Sequence, residues 1–385
     1  MGRDYTYISA DSHLEGAGLD EWPLRVPEQY RDRAPRRIKM PNGGYGIIVE
    51  GRAGLTTNNG LSVFAGKSPE EYRPEEPRHV TDAGSGPPEQ RLREQDLDGI
   101  DAEVLFTGVG GPPRWLGIKN DDAYRAVVRA YNDWLAEDYC SVAPDRLLGI
   151  GVIPQRGIDG AVAEMEHCAK LGLKGVVLGA FPSGEQRYPK AEDDRFWAAA
   201  LDLNMPVTIH TMISRTPAFK YDREPQGDQE FHTDPLGHMV KFALEGGVNA
   251  AQLVLAGVFD RFPSLRIYFA ENQIGWIPHF FETMDEDYKL NRYWAERLFG
   301  VKQLSRLPSE YLKEHCFWGF VYSPIGVELR HHIGVDHIMW STDFPHIRCA
   351  WPNTMAEVEE VFAAVPADEK HKMVAGNAIE FFHLD

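Results

Sequence analysis

The chain has 385 residues, 43% hydrophobic and 25% charged, enough to bury one large α/β core and too balanced for pervasive disorder. Its formal net charge is −18, a field that repels phosphate backbones and anionic lipid surfaces, so nucleic acid and membranes are not expected partners. The four cysteines (Cys140, Cys168, Cys316 and Cys349) form no CxxC pair, which argues against a thiolate zinc site or a disulfide framework and fits reduced thiols in a cytoplasmic protein.

In chain order, Tyr5 to Ala10 is β-rich, starts without the apolar run of a signal peptide, and ends in the polar cluster Asp11-Ser12-His13-Leu14-Glu15. The segment 21–93 lacks strand–helix rhythm and is rich in Pro, Gly and Arg. An insertion of that length after the first strand is expected over the mouth of the fold, as a lid or an oligomer contact. Strand-like apolar runs then recur at Val104 to Phe106, Leu147 to Ile153, Gly175 to Leu178, Val207 to Ile209, Ile267 to Ala270, Phe317 to Val321 and His337 to Trp340. Helical spacing of apolar residues fills Ala123 to Tyr139, Gly160 to Leu171, Asp194 to Leu203 and Met355 to Ala364. A second polar insertion spans 211–234, and no run approaches the roughly 20 apolar residues of a membrane span.

Eight strands alternating with helices mean parallel βαβ units, in an open sheet or a closed barrel. The polar residues decide between them. Asp11, His13, Glu15, His210, Glu271 and Asp343 each stand just after an apolar strand, and only a barrel brings the ends of its first, middle and last strands to one face. The expectation is therefore one distorted (β/α)8 barrel domain over residues 1–385.

Asp11, His13 and Glu15 alternate along an extended segment, so their side chains point one way and can grip a divalent cation. A turn carrying two acids is the plainer reading. His210 ends the β-branched run Met205-Pro-Val-Thr-Ile-His, where a lone histidine is more often a hydrogen-bonded core residue. Asp343 follows His337-Ile-Met-Trp-Ser-Thr and would equally serve as a helix N-cap. Taken together, imidazole and carboxylate groups on strands one, five and eight go beyond what packing or capping asks for, and they point to a metal site. Glu271 has a second role open, as an acid orienting a ligand histidine. His346 and His232 are candidates for substrate contact or for support behind the ligands. Trp276 and His279 would wall the pocket, with core packing the plainer reading for Trp276. Arg91 reads as a surface charge or a partner for a substrate carboxylate.

Asp11-Ser-His-Leu-Glu, the strand-five His210, Glu271-Asn-Gln-Ile-Gly-Trp-Ile-Pro and Ser341-Thr-Asp-Phe-Pro-His with Trp351-Pro352 resemble the amidohydrolase superfamily. The resemblance is to its amidohydrolase-related branch, which includes aminocarboxymuconate semialdehyde decarboxylase and aromatic acid decarboxylases. It implies Asp11 and His13 as ligands from strand one and His210 from strand five. It also implies Asp343 as the strand-eight carboxylate that binds metal, accepts a proton, or both. A bound divalent ion lowers the pKa of its water from about 15.7 toward 7. Two departures stand out. Dinuclear relatives carry a carbamylated lysine at the end of strand four, whereas here Lys174 stands at its beginning. The related decarboxylases carry a histidine after strand six and an acid three residues on, whereas this chain has Glu271 and Ile274.

Three functions follow as expectations. The first is hydrolysis or decarboxylation of a small carboxylic substrate by a metal-dependent enzyme. The second is an oxygen-activating dinuclear Mn/Fe hydroxylase on the same barrel, since Glu15 and Glu271 make the donor set rich in oxygen. The third is a catalytically silent homologous subunit. The cofactor is one or two ions of Mn, Fe or Zn, and a homo- or hetero-oligomer is the expected assembly.

Overall fold

The computed structural model describes residues 3–40, 43–50, 64–73, 79–108, 111–184, 188–211 and 245–384. Eight parallel strands follow one another around a single sheet: β1 (Ile8–Leu14), β4 (Ala102–Thr107), β5 (Leu147–Val152), β6 (Gly175–Leu178), β7 (Val207–His210), β8 (Ile267–Ala270), β9 (Cys316–Phe320) and β10 (Ile338–Trp340). The short antiparallel pair β2 (Arg36–Lys39) and β3 (Tyr45–Ile48) lies outside it. The first strand meets the segment that follows the last through a parallel bridge between Ser12 and Phe344, with His13 N–H donating to the Phe344 carbonyl at 2.8 Å. This is the (β/α)8 barrel that the strand-end residues called for.

Alternation along each strand makes two cores. Ile8, Ala10, Val104, Phe106, Leu148, Ile150, Tyr268, Ala270, Phe317 and Met339 pack in one cluster with Phe381 and Phe382 of the C-terminal helix. Leu105, Leu147, Val152, Val176, Val207, Ile209 and Phe269 pack in another against the surrounding helices. Those helices include α1 (Pro88–Asp98), α2 (Asp121–Trp134), α3 (Ile158–Leu171), α4 (Asp194–Asp202), α5 (Glu245–Leu255), α6 (Ile277–Phe299), α7 (Pro308–His315) and α8 (Thr354–Val361). Helix α3 lies so close to β5 that a Cβ at Gly151 would stand 2.5 Å from Cys168 Sγ. All four cysteines are free and buried, and among the described residues no helix is long and apolar enough to cross a membrane.

The first strand differs from its sequence expectation. It begins at Ile8 and runs through Leu14, so Asp11 and His13 are strand residues and the polar cluster is not a separate turn. Its register slips between Ser9 and Ser12, and every residue in it is buried. The hydroxyl of Ser9 donates to the Asp11 carbonyl at 2.8 Å and accepts from the Thr342 N–H at 2.9 Å. A polar strand survives there because its hydroxyls and backbone satisfy each other. Parts of the long insertion reach the same end of the barrel. Glu15 N–H donates to the Gly84 carbonyl at 3.2 Å, and the N–H groups of Phe64 and Ala65 donate to the Pro345 carbonyl at 2.8 and 3.2 Å. The four-residue strands β2 and β3 are too short to have shown a period in the sequence.

Candidate metal centre

Four side-chain atoms converge inside the barrel mouth. Asp11 Oδ1 stands 3.4 Å from His13 Nε2 and 3.3 Å from His210 Nε2. His13 Nε2 stands 3.2 Å from His210 Nε2 and 3.1 Å from Asp343 Oδ1. Two ligands on bonds of about 2.1 Å lie roughly 3.0 Å apart at a right angle and about 3.4 Å apart at the tetrahedral angle. The observed separations fill that interval.

The ring orientation agrees. His13 Nδ1 faces the Thr107 carbonyl at 3.2 Å, which leaves Nε2 to face Asp11, His210 and Asp343. No hydrogen bond of good geometry reaches either oxygen of Asp11, although the residue is buried and imidazole nitrogens stand nearby. Buried carboxylates without donors are costly unless a cation completes them. The local field also favours positive charge. Burial works against ionised imidazole, yet Asp11, with Glu271 and Asp343 behind it, still raises the pKa of His210.

His346 and Glu15 form an adjoining layer. The His346 ring stacks on His13 with centroids 3.9 Å apart. Its Nδ1 lies 3.0 Å from Asp343 Oδ1 and its Nε2 lies 3.0 Å from Glu15 Oε1. Burial opposes its charge, but Asp343 and then Glu15 outweigh it and lift His346 to about 10. The same pairing, with His13, holds the Asp343 carboxyl well below the usual range despite its burial. His13, Asp343 and His346 thus make a second group of potential ligands beside Asp11, His13 and His210.

Backbone strain aims several of these groups. Thr211, Glu271 and Asp343 follow β7, β8 and β10 with φ of 54°, 57° and 53°. Non-glycine residues in that region cost on the order of 1–3 kcal/mol and cluster where function requires a particular direction. Glu271 is 11% exposed, with Oε2 3.9 Å from His210 Nε2, at the edge of the cluster.

Asp11, His13 and His210 therefore come together, Asp343 adjoins them through His13, Glu271 borders His210, and Glu15 joins through His346. Trp276 does not enter this group. Its ring packs on Phe280 and Trp318, and its indole N–H donates to the Asn272 carbonyl at 2.9 Å, which is core packing at the start of α6. His232 and the insertion from 212 onward lie outside the described residues.

Arg91 is neither a surface charge nor open to substrate. It is buried, donates to Glu103 Oε2 at 2.6 Å and to the His13 carbonyl at 3.0 Å, and lies over the Phe344 ring. Glu103 also accepts from Gln95 Nε2 and the Ser12 hydroxyl. Sequence reasoning missed Glu103. A lone acid in the apolar run Ala102–Thr107, with an arginine one helix earlier, was the available signal.

The family model described as amidohydrolase matches residues 77–384. The chain belongs to this amidohydrolase family. Gamma-resorcylate decarboxylase of Rhodococcus jostii is 26% identical over 309 residues, covering 77% of this chain and 87% of that protein. Among solved structures, an amidohydrolase from Mycobacterium avium subsp. paratuberculosis superposes with a TM-score of 0.73 at 17% identity, covering 99% of this chain and 100% of the other. The 5-carboxyvanillate decarboxylase of Novosphingobium aromaticivorans, solved with bound manganese, gives 0.66 at 18% identity over 98% of this chain and 97% of that one. At these identities the two structures establish the shared fold. Within that fold Lys174, next to the first residue of β6, is at the opposite end of the strand from the cluster.

Proposed function

We propose that this amidohydrolase is a metal-dependent decarboxylase of an aromatic carboxylate, with a divalent cation held by Asp11, His13, His210 and Asp343. The metal rests on one observation: donor atoms of Asp11, His13 and His210 lie 3.2–3.4 Å apart, Asp343 Oδ1 stands 3.1 Å from His13 Nε2, and the buried Asp11 oxygens accept no hydrogen bond. The reaction class rests on the decarboxylase relative that spans most of the chain. Manganese suits a set of two imidazoles and two carboxylates, and the manganese-bound 5-carboxyvanillate decarboxylase supports that choice. When bound, the cation supplies a fixed positive charge for the substrate's oxygens and for negative charge developing during reaction.

The chain's own groups do the rest. Asp343 lies inside the ligand cluster between His13 and His346, whereas Glu271 borders the cluster and keeps some exposure. Glu271 is accordingly assigned to hold the proton delivered to the ring carbon that bears the carboxylate. The bond from that carbon to the carboxylate then breaks, its electron pair returns to the ring, and carbon dioxide leaves. Phe106, 5.1 Å from the His210 ring, gives an apolar wall that excludes competing water. The test is carbon dioxide release and product analysis with manganese-loaded protein and a panel of hydroxylated benzoates. Glu271→Gln should lower kcat about 100-fold or more at unchanged metal content. If no panel member loses carbon dioxide while an ester or amide is cleaved, the decarboxylase reading fails.

A second reading is favoured by the adjoining His13, Asp343 and His346 group with Glu15 on the far nitrogen of His346. Two ions there, including iron, would fit the oxygen-activating hydroxylase. Two metals per chain with substrate-dependent oxygen consumption would select it.

A further inference from the structure

Asn272 stands between two left-handed residues. Glu271 has a φ of 57° and Gln273 a φ of 53°, while Asn272 itself is fully buried. Both donors and the acceptor of its amide are engaged. Nδ2 donates to the Ala270 carbonyl at 2.7 Å and to the Thr211 carbonyl at 3.2 Å, and Oδ1 accepts from the Gly246 N–H at 2.7 Å. Two carbonyls and one N–H admit a single orientation of the amide, because a carbonyl only accepts and an N–H only donates.

The backbone of Asn272 adds two more bonds. Its N–H donates to the Gly319 carbonyl at 3.0 Å, and its carbonyl accepts from the Trp276 indole at 2.9 Å. One residue thus ties the ends of β7, β8 and β9 to the starts of α5 and α6. The space around it is fitted closely. A Cβ on Gly246 would stand 2.5 Å from Oδ1, so any side chain there pushes on the amide. Aspartate at 272 would offer no donor to the two carbonyls, and glutamine would carry the amide one methylene too far.

Left-handed backbone at a non-glycine residue persists only where its surroundings over-determine it. The five bonds of Asn272 do this for Glu271, whose Oε2 stands 3.9 Å from His210 Nε2. Thr211, next after His210, is held by the same amide and donates its own N–H to the Ala270 carbonyl at 3.0 Å.

We propose that Asn272 is a positioning residue: its amide fixes the turn after β8 and so sets the Glu271 carboxyl beside His210. The effect on rate rests on the assignment of Glu271 as proton carrier made above, whereas the placement of Glu271 does not.

The test joins crystal structures of manganese-loaded variants with steady-state kinetics on a hydroxylated benzoate, and thermal melts confirm folding. Asn272→Leu keeps the approximate size and removes the polar atoms. In it Glu271 should leave the left-handed region and its carboxyl should shift by about 1 Å or more, lowering kcat at least tenfold. KM should stay within about threefold, since the lost group acts on the reacting carbon and not on binding. Combined with Glu271→Gln, it should be no more than about threefold slower than Glu271→Gln alone, because both substitutions act through one carboxyl. Gly246→Ala should displace Glu271 in the same way from outside the mouth, and it carries the test if Asn272→Leu does not fold. Glu271 unmoved in the folded variants would overturn the proposal, as would losses that multiply in the double variant. Glu271→Gln at wild-type kcat, with Glu271 displaced in Asn272→Leu, would remove the proton assignment and uphold the positioning role.

Discussion

Replacing Arg91 with methionine keeps the length of the side chain and removes the charge that ties helix α1 to the metal-bearing strand. The guanidinium is 1% exposed and its partner Glu103 is 3% exposed. After the substitution Glu103 keeps two neutral donors, Gln95 Nε2 at 2.7 Å and the Ser12 hydroxyl at 2.9 Å, but no counter-charge. Breaking a buried pair from one side costs about 3–5 kcal/mol. The His13 carbonyl also loses the donor at 3.0 Å, worth about 1 kcal/mol. Urea unfolding of the apoprotein should show a loss of about 3–5 kcal/mol for Arg91→Met. The double variant Arg91→Met with Glu103→Gln should recover at least 1 kcal/mol, since it removes the stranded charge. Because the same guanidinium positions the His13 backbone, manganese affinity by titration calorimetry should fall at least tenfold in Arg91→Met. A loss below about 1 kcal/mol with unchanged affinity would refute the claim that this pair anchors β1.

Other outcomes follow from the same geometry. Chelation should lower the melting temperature and manganese should restore it, by about 3–4 kcal/mol of stabilisation when free metal is 100–1,000 times its Kd; equal melting with and without metal would contradict the site. Burial lifts Asp98 from 3.8 to about 6, against the pull of two hydrogen bonds from Thr354. The folded chain then binds more protons than the unfolded one between those values, so wild type should lose on the order of 2–3 kcal/mol relative to Asp98→Asn as pH rises from 4 to 7. Parallel unfolding midpoints of the two proteins across that range would exclude it. Gly151→Ala should cost about 1–3 kcal/mol by driving Cβ into Cys168 Sγ, and adding Cys168→Ala should recover part of the loss.

The barrel was readable because most of its strands are apolar runs and those of β7, β8 and β10 are each followed by a ligand-capable residue. Gly175–Leu178 and Ile267–Ala270 match their sequence expectations residue for residue. Strand one was bounded too early, at Tyr5 to Ala10, because Asp11, Ser12 and His13 interrupt the apolar run, and only pairing with Thr342, Phe344 and Glu103 makes that polarity tolerable within a strand. Asp11, His13, His210 and Asp343 were legible as candidates from their positions. The role of Glu15 was not, because its contact with His346 depends on how the segment after β10 folds back over the mouth. Arg91 was misjudged for a similar reason. An arginine in a polar helix reads as exposed until a buried acid on the neighbouring strand is known to face it. The left-handed backbone at Thr211, Glu271 and Asp343 leaves no mark in composition or period.

Anomalous diffraction from crystals of manganese-loaded protein, recorded at the manganese edge, tests the metal centre most directly. A peak is expected, bonded at about 2.0–2.3 Å to Asp11 Oδ1, His13 Nε2, His210 Nε2 and Asp343 Oδ1. No peak among those four atoms, or a peak held without His210, would contradict it.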